Sequence, residues 1–534
     1  MMIFTFIALK TLGTAFFFTV LYFLHVLTAN FFQQVFHISG HGPPTYPVIG
    51  CLISFYRNRR RLLDWYTQLL SQSPTNTIVV WRLGARRTIV TANPKNVQYI
   101  LKSNFKNYPK GRPFTEILGD FLGHGIFNVD GALWRTQRKL VSHEFSTRSL
   151  REYVMSTLQE EVENRLLPVM QSVLTENKAV DLQDLLKRLT FDMICKVSLG
   201  TAYQPRSLDP TFPISPLAKA FDVSSEICAR RGAATLSLSW KIKRLIRVGS
   251  ERRLKEAVRE VHGFVSRVIR DKIMEMNGTA ASGNDDLLSS LILAGHDERT
   301  IRDLMISFIM AGRETTSAAM TWLFWLLSQH PNIKQDLVTE VELVLKRRKD
   351  LDYESLKELK LLNACLLESM RLYPPVAWDS KHAVEDDVLP DGTIVKSGDR
   401  VTYFPYGMGR MEELWGKDCL EFRPNRWFLE PEKYGTGEIR KMCPYKYPVF
   451  QAGPRDCIGK EMAFIQMKYV VASILHRFDI EPVNQVRPVF VPFLTAHMAG
   501  GFPVRVRQRN ISTHDGSEFV GLIGANAPHF KSSG

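Results

Sequence analysis

The chain has 534 residues, 45% of them hydrophobic and 23% charged, with a net charge of +15. That balance fits a globular protein with a large core, and the absence of an internal repeat excludes a solenoid. A basic surface suits nucleic acid, anionic lipid or an acidic protein, but no zinc-finger spacing, RNA-binding aromatic motif or concentrated basic arm supports nucleic acid. The seven cysteines (Cys51, Cys195, Cys228, Cys365, Cys419, Cys443 and Cys457) are scattered and odd in number. They suit a reducing compartment better than a disulfide scaffold, which leaves the sequons at Asn277 and Asn510 unused.

In chain order, the first predicted element is a membrane anchor within residues 1–32. From Thr11 to Phe32 the run TLGTAFFFTVLYFLHVLTANFF carries no acidic or basic residue apart from His25. As a helix it has the length of a bilayer core, whereas the apolar stretch of a cleaved signal peptide is about 7–15 residues. Only Lys10 precedes it, and Arg57, Arg59, Arg60 and Arg61 follow, which places the body on the cytosolic side. Residues 33–50 follow as a proline-rich hinge: Pro43, Pro44 and Pro47 in HGPPTYPVIG favour a stiff extended spacer.

Residues 51–509 read as one mainly α domain with a minor β-sheet region. LQEEVENRLLPVMQSVL (158–174), RRLKEAVREVHGFVSRVIRDKIMEM (252–276) and NIKQDLVTEVELVLKRR (332–348) each repeat apolar residues at three-to-four spacing. Strand-like runs are few: TIVVWRLG with RRTIVTA near the start, residues 383–405, and pieces after residue 480. ASGNDD (281–286) breaks two helices, and residues 510–534 form a polar, Gly-rich tail.

RDLMISFIMAGRETTSAAMTWLFWLLSQHP (302–331) is an apolar helix notched at its centre by AGRETT. Arg302, Asp303, Arg313 and Glu314 make it a costly membrane span, and the same notch is a poor core design. Gly312 leaves room for a flat group against the backbone, and the threonine hydroxyls compete for helix carbonyls and open the turn. A core helix with a tolerated glycine is the other reading.

FQAGPRDCIGK (450–460) isolates Cys457 between Gly453 and Gly459. A buried inert thiol is the commonest alternative; a Cys–His pair has His382, His476 and His497 to draw on, and zinc lacks a CxxC. Arg455 and the amides that open the following helix favour a thiolate. A bare loop of this kind suits a large flat metal cofactor.

Phe450, Gly453, Arg455, Cys457 and Gly459 match F-x-x-G-x-R-x-C-x-G, the haem-binding signature of the cytochrome P-450 family, which the chain closely resembles. AGRETT looks like that family's oxygen-activating motif. ESMR supplies Glu368 and Arg371 of E-x-x-R, WRTQR supplies Trp134 and Arg138, and FRPNRW supplies Arg426, although Asn425 and Trp427 depart from the family pattern. The resemblance covers about residues 43–507. It implies haem b, with the Cys457 thiolate as the iron's axial ligand and metal site. Trp134, Arg138, Arg455 and His382 would meet the propionates, with Phe450 and Gly459 beside the sulfur. Glu314 and Thr315 would manage water and protons during oxygen activation, and Glu368, Arg371 and Arg426 would form a structural charge cluster. It further implies O2, electrons from NADPH through a flavoprotein NADPH–cytochrome P-450 reductase, and an endoplasmic reticulum membrane location in contact with lipid.

Longer stretches, among them PPVAWDSKHAVEDDVLPDGT and LTAHMAGGFPVRV, resemble the plant fatty-acid ω-hydroxylases, nearest the jasmonoyl-isoleucine hydroxylase subgroup. The implied reaction is monooxygenation at the terminal carbon of a small, elongated apolar substrate. A sterol side chain is the alternative substrate, and a non-oxygenase haem isomerase or sensor is the alternative class. By family position the substrate walls come from Phe114–Ile126, the 221–247 region, Ala311, Val376–Trp378, and Leu494 and Thr495. Arg230 and Arg231 are candidate partners for a substrate carboxylate.

Overall fold

The computed structural model describes residues 14, 16–23, 42–200, 208, 215–234, 237–278, 286–431 and 434–509. Most of the expected 11–32 anchor, nearly all of the 281–286 loop and the 510–534 tail lie outside these residues. Among the described residues no helix is long and apolar enough to cross a membrane. Within the expected hinge, Tyr46 and Gly50 bridge each other and Gly50 bridges Arg82.

The architecture is mainly helical. The elements that build the site are α1 (Arg112–Leu122), α2 (Gly131–Phe145), α3 (Leu182–Leu199), α4 (Pro216–Ala233), α5 (Ser250–Gly278), α6 (Glu298–Gln329), α7 (Lys360–Leu372) and α8 (Lys460–Arg477). The axis of the fold is α6. Its start is fixed by Asp297, whose side chain accepts from the Thr300 amide at 3.0 Å, and His330–Pro331 ends it. Beyond the notch, Met320, Trp322, Leu323, Phe324 and Leu327 are buried in the main apolar cluster. Each such side chain contributes about 1.5–3 kcal/mol by leaving water.

Helix α3 packs along α6, and this contact adds a role for the notch glycine. A Cβ at Gly312 would lie 2.7 Å from the Ile194 side chain. The missing side chain admits a neighbouring helix, so Gly312 serves close helix packing as well as bordering the cavity. The notch threonine Thr315 does bond a helix carbonyl, that of Ala311 at 2.7 Å, but the turn does not open and α6 stays continuous.

The principal sheet has four strands: β1 (Thr77–Val80), β2 (Thr88–Thr91), β3 (Asp379–His382) and β4 (Arg400–Tyr403). Their spatial order is β1-β2-β4-β3. Strand β2 runs parallel to β4 with Thr88 opposite Arg400, and β3 runs antiparallel to β4 with His382 opposite Arg400. The sequence DSKH shows no apolar alternation, and β3 escapes a pattern reading for that reason. It is buried because its polar groups are matched: Asp379 accepts from Lys110, Lys381 and Tyr403, each at 2.8 Å. A short hairpin, β5 (Phe490–Pro492) with β6 (Ala496–Met498), reaches back over α6. A separate sheet joins Ala179–Asp181, Pro503–Gln508 and Phe478–Pro482.

Candidate active site

One cavity of about 940 Å³ runs through the centre of the molecule. The N-terminal half of α6, the thiol loop, β3, β4, α1, α4 and the β5–β6 hairpin all border it. A volume near the top of the usual ligand-site range accommodates a large group and a substrate together.

The floor is the loop before α8. Gly453 adopts φ +69°, and a Cβ there would lie 2.1 Å from the Leu101 carbonyl oxygen, so only glycine fits. The Cys457 amide donates to the Phe450 carbonyl at 2.8 Å, which fixes the loop's return. Phe450 packs on Phe464 with centroids 5.4 Å apart. Cys457 is exposed and borders the cavity. Burial pushes the Cys457 thiol up, and the Gly459 amide, Arg138 and Lys460 act in the opposite sense. Protein surroundings alone therefore do not make the thiolate; a coordinated metal ion deprotonates such a thiol outright.

Arg455 is engaged elsewhere than at the sulfur. It donates to Asp130 at 2.7 Å and to the Val129 carbonyl at 2.8 Å, and stacks 4.4 Å over the Trp134 ring. Arg138 on α2 is bound to the Asp456 carboxylate and carbonyl. On β3, the His382 Nδ1 lies 2.6 Å from the Lys110 carbonyl oxygen, and burial lowers its pKa to about 4, leaving a neutral ring. Two buried polar atoms beside the cavity, His382 Nε2 and Arg455 Nε, have no hydrogen-bond partner among the described residues. The neutral His382 ring spends its one N–H on the Lys110 carbonyl and leaves Nε2 as an acceptor, whereas the unpartnered Arg455 Nε–H beside an open thiol fits a planar cofactor with an anionic edge and a metal that takes sulfur.

The ceiling is the α6 notch. Ala311, Gly312, Glu314, Thr315 and Thr316 line the cavity. The acid and the alcohol are not bonded to each other. Glu314 accepts from the Thr495 hydroxyl of the β5–β6 turn, and both residues are buried. Sequence reasoning had assigned Thr495 to the substrate wall and missed this contact, for which no local signal exists. Phe114, Ile117, Leu118, Ile126, Val376, Trp378 and Leu494 all border the cavity as expected by position.

Arg230 and Arg231 do not offer free cations. Arg230 is exposed and paired with Glu226. Arg231 borders the cavity, yet it is buried between Asp120 at 2.8 Å and Glu251, and lies 4.7 Å over Trp240. Helical spacing cannot reveal carboxylates supplied by α1 and α5.

Remote from the cavity, Glu368 on α7 binds Arg371 at 2.8 and 2.9 Å, Arg426 at 2.9 Å and the Trp427 indole at 2.9 Å. Arg371 also donates to the carbonyls of Gly409, Cys419 and Glu421. The Arg423 amide donates to Glu368 at 2.9 Å, and Trp427, the departure from the family pattern, thus adds a fifth donor to the same carboxylate.

A fold of this kind around a thiol-floored cavity defines the haem-thiolate class. The family model "Cytochrome P450" matches residues 41–498. Cytochrome P450 94B1 of Arabidopsis thaliana is 58% identical, over 88% of this chain and 92% of its own. Cytochrome P450 94B3 of the same plant is 56% identical over 94% and 98%, and cytochrome P450 94A1 of Vicia sativa 45% over 88% and 91%. The crystal structure of the cytochrome P450DA haem domain superposes with a TM-score of 0.73 at 21% identity, covering 88% of this chain and 98% of that one, a likeness of fold alone. The chain belongs to the cytochrome P450 family and is a P450 monooxygenase. The family uses haem b, O2 and NADPH electrons delivered by a reductase. When bound, haem supplies the oxygen chemistry, and a thiolate ligand pushes electron density toward O–O cleavage.

Proposed function

We propose that this monooxygenase hydroxylates the terminal carbon of an elongated apolar acid, a fatty acid or a jasmonoyl-isoleucine-type conjugate. The observation that carries this reading is the continuity of one cavity from Cys457 and Thr315, between Phe114, Ile117, Val376 and Leu494, to the β-sheet wall. A terminal C–H bond is harder to break than its neighbour, so selectivity has to come from holding the end carbon in place. The overall likeness to the two Arabidopsis relatives supports the same reading. A sterol side chain is not favoured beside these relatives.

In this reading Cys457 holds the iron. Trp134, Arg138, Arg455 and His382 face the propionates, with Phe450 and Gly459 beside the sulfur. Glu314 and Thr315 pass protons toward the oxygen site, with Thr495 orienting the acid. Glu368, Arg371 and Arg426 keep the floor in register. Residues 11–32 anchor the body on the cytosolic face of the endoplasmic reticulum, through the spacer ending at Gly50, where a basic surface meets an acidic reductase.

The test is turnover in microsomes with reductase. Dodecanoic acid and jasmonoyl-isoleucine should give the terminal alcohol, and a sterol should give none; the reverse pattern would sink the substrate assignment. Cys457→Ser should abolish the red-shifted absorption of the reduced carbon-monoxide complex while Cys443→Ser leaves it intact. Protease protection of the body in sealed microsomes would contradict the cytosolic orientation.

A further inference from the structure

Four arginines meet where the β1–β2 hairpin runs against β4. One of them is satisfied: Arg87 pairs with Asp399 and donates to the Ile394 carbonyl at 3.0 Å. Strand alternation turns Asp399 away from the face that Arg400 occupies. Arg82, Arg86 and Arg400 border the central cavity instead. Among the described residues, none of these three has a carboxylate within ion-pair distance. The Arg82 guanidinium lies 3.9 Å over the Phe55 ring. Arg86 donates to the Gly398 carbonyl at 3.3 Å, and the Arg400 Nε is buried with no hydrogen-bond partner.

These cations feel one another. Burial lowers the pKa of Arg400, and Arg82 and Arg86 lower it further, with Tyr66 opposing; burial likewise lowers Arg82. Like charges gathered on a partly buried wall are costly unless an anion joins them. The surroundings suit the head of an amphipathic molecule: Thr88 and Thr402 bring hydroxyls, while Phe55, Leu62, Val80 and Val90 bring an apolar slot. Arg86 is exposed, whereas Arg82 and Arg400 are half-buried, so the cations run from solvent inward along one wall.

We propose that Arg82, Arg86 and Arg400 form the anchor for the substrate carboxylate, from which the apolar chain runs toward Thr315. Arginine's planar fork presents paired donors to a carboxylate, and three forks at one end of the cavity fix which end of the substrate enters last. This deepens the terminal-hydroxylase reading and rests on it. Arg230 and Arg231 have no part in it.

A carboxylate near these cations has two sources, the substrate and a haem propionate, because Arg86 and Arg400 also act on His382. The experiment uses the full-length enzyme and titrates dodecanoic acid and its methyl ester by the spectral shift of the haem. Arg82→Gln and Arg400→Gln should keep wild-type haem content and bind the acid about 10- to 100-fold more weakly, with the ester unchanged. The exposed Arg86→Gln, which carries little folding risk, should show a smaller loss in the same sense. Unchanged acid binding, equal losses for acid and ester, or a wild-type enzyme indifferent to esterification would each overturn the anchor. Loss of haem from a folded variant would reassign the cations to a propionate and overturn it as well. If the wild type binds acid over ester but oxidises neither at the terminal carbon, the anchor stands and the reaction assigned above falls.

Discussion

Two charge clusters in this chain, one buried and one half-open to solvent, are built in opposite ways. Around Glu368 every charge meets its complement: one carboxylate takes Arg371, Arg426 and the Trp427 indole, and spare guanidinium donors end on carbonyls. Around Arg400 three cations share a wall with no carboxylate paired to them among the described residues. A cluster that serves the fold is neutralised by the protein itself, whereas one that serves a ligand is left short of a charge. The difference marks function without reference to any motif.

The comparison breaks most sharply at the closed cluster. Glu368→Ala leaves the buried Arg371 guanidinium without its carboxylate, while Arg426 keeps Asp418, and should cost about 3–5 kcal/mol, read as loss of soluble, haem-loaded protein. Arg82→Gln, by contrast, should leave the unfolding midpoint almost unmoved or raise it slightly, since it relieves repulsion. Equal destabilisation by both variants would erase the distinction.

A smaller effect should follow at Thr315 and Thr495. Thr315→Ala should consume several-fold more NADPH per product while haem and substrate still bind. Thr495→Val should show a milder form of the same loss, since it frees Glu314 without removing it, and Thr495→Ser should restore coupling. A Val variant that is fully coupled over the whole pH range would reduce Thr495 to a wall residue.

A third kind of buried charge is capped rather than paired. Glu340 accepts from the Leu361 and Leu362 amides at the start of α7, at 2.6 and 2.9 Å, and burial raises its pKa to about 7 against those bonds. The folded state therefore holds its proton to higher pH than the unfolded chain does. Stability from this group is fully present below about pH 4.5 and is lost as pH rises through about 7. Glu340→Gln should flatten denaturation midpoints between those limits; a slope that persists unchanged would place the titration elsewhere. The smallest effect belongs to Arg230→Gln. Its exposed pair with Glu226 is worth about 0–0.5 kcal/mol, and acid binding should not change.

Much of this molecule is legible in its sequence. Long amphipathic repeats such as 252–276 lie within helices, and the residues of the thiol loop and the α6 notch face one cavity, because both signals are local. Strand β3 was hidden, since Asp379, Lys381 and His382 read as a loop until Lys110 and Tyr403 are brought to them. The packing role of Gly312 was not legible because its reason is Ile194, on another helix. Arg231 looked free because Asp120 and Glu251 lie far away in sequence. Arg82, Arg86 and Arg400 drew no attention, for the absence of a counter-ion is a property of space and not of any stretch of residues.

The parallel pairing of β2 with β4 has a further consequence for synthesis. Arg87 and its partner Asp399 are separated by 312 positions, which at about 5–20 residues per second is a wait of about 15–60 s on the ribosome. Through that interval β2, with Ile89 and Val90 buried in the finished protein, presents an open, apolar edge to the cell. Cys457 and Thr495 emerge later still, so nothing that binds at the cavity can stabilise the nascent chain in advance. The first strands of this enzyme depend on protection from outside until the last quarter of the chain arrives.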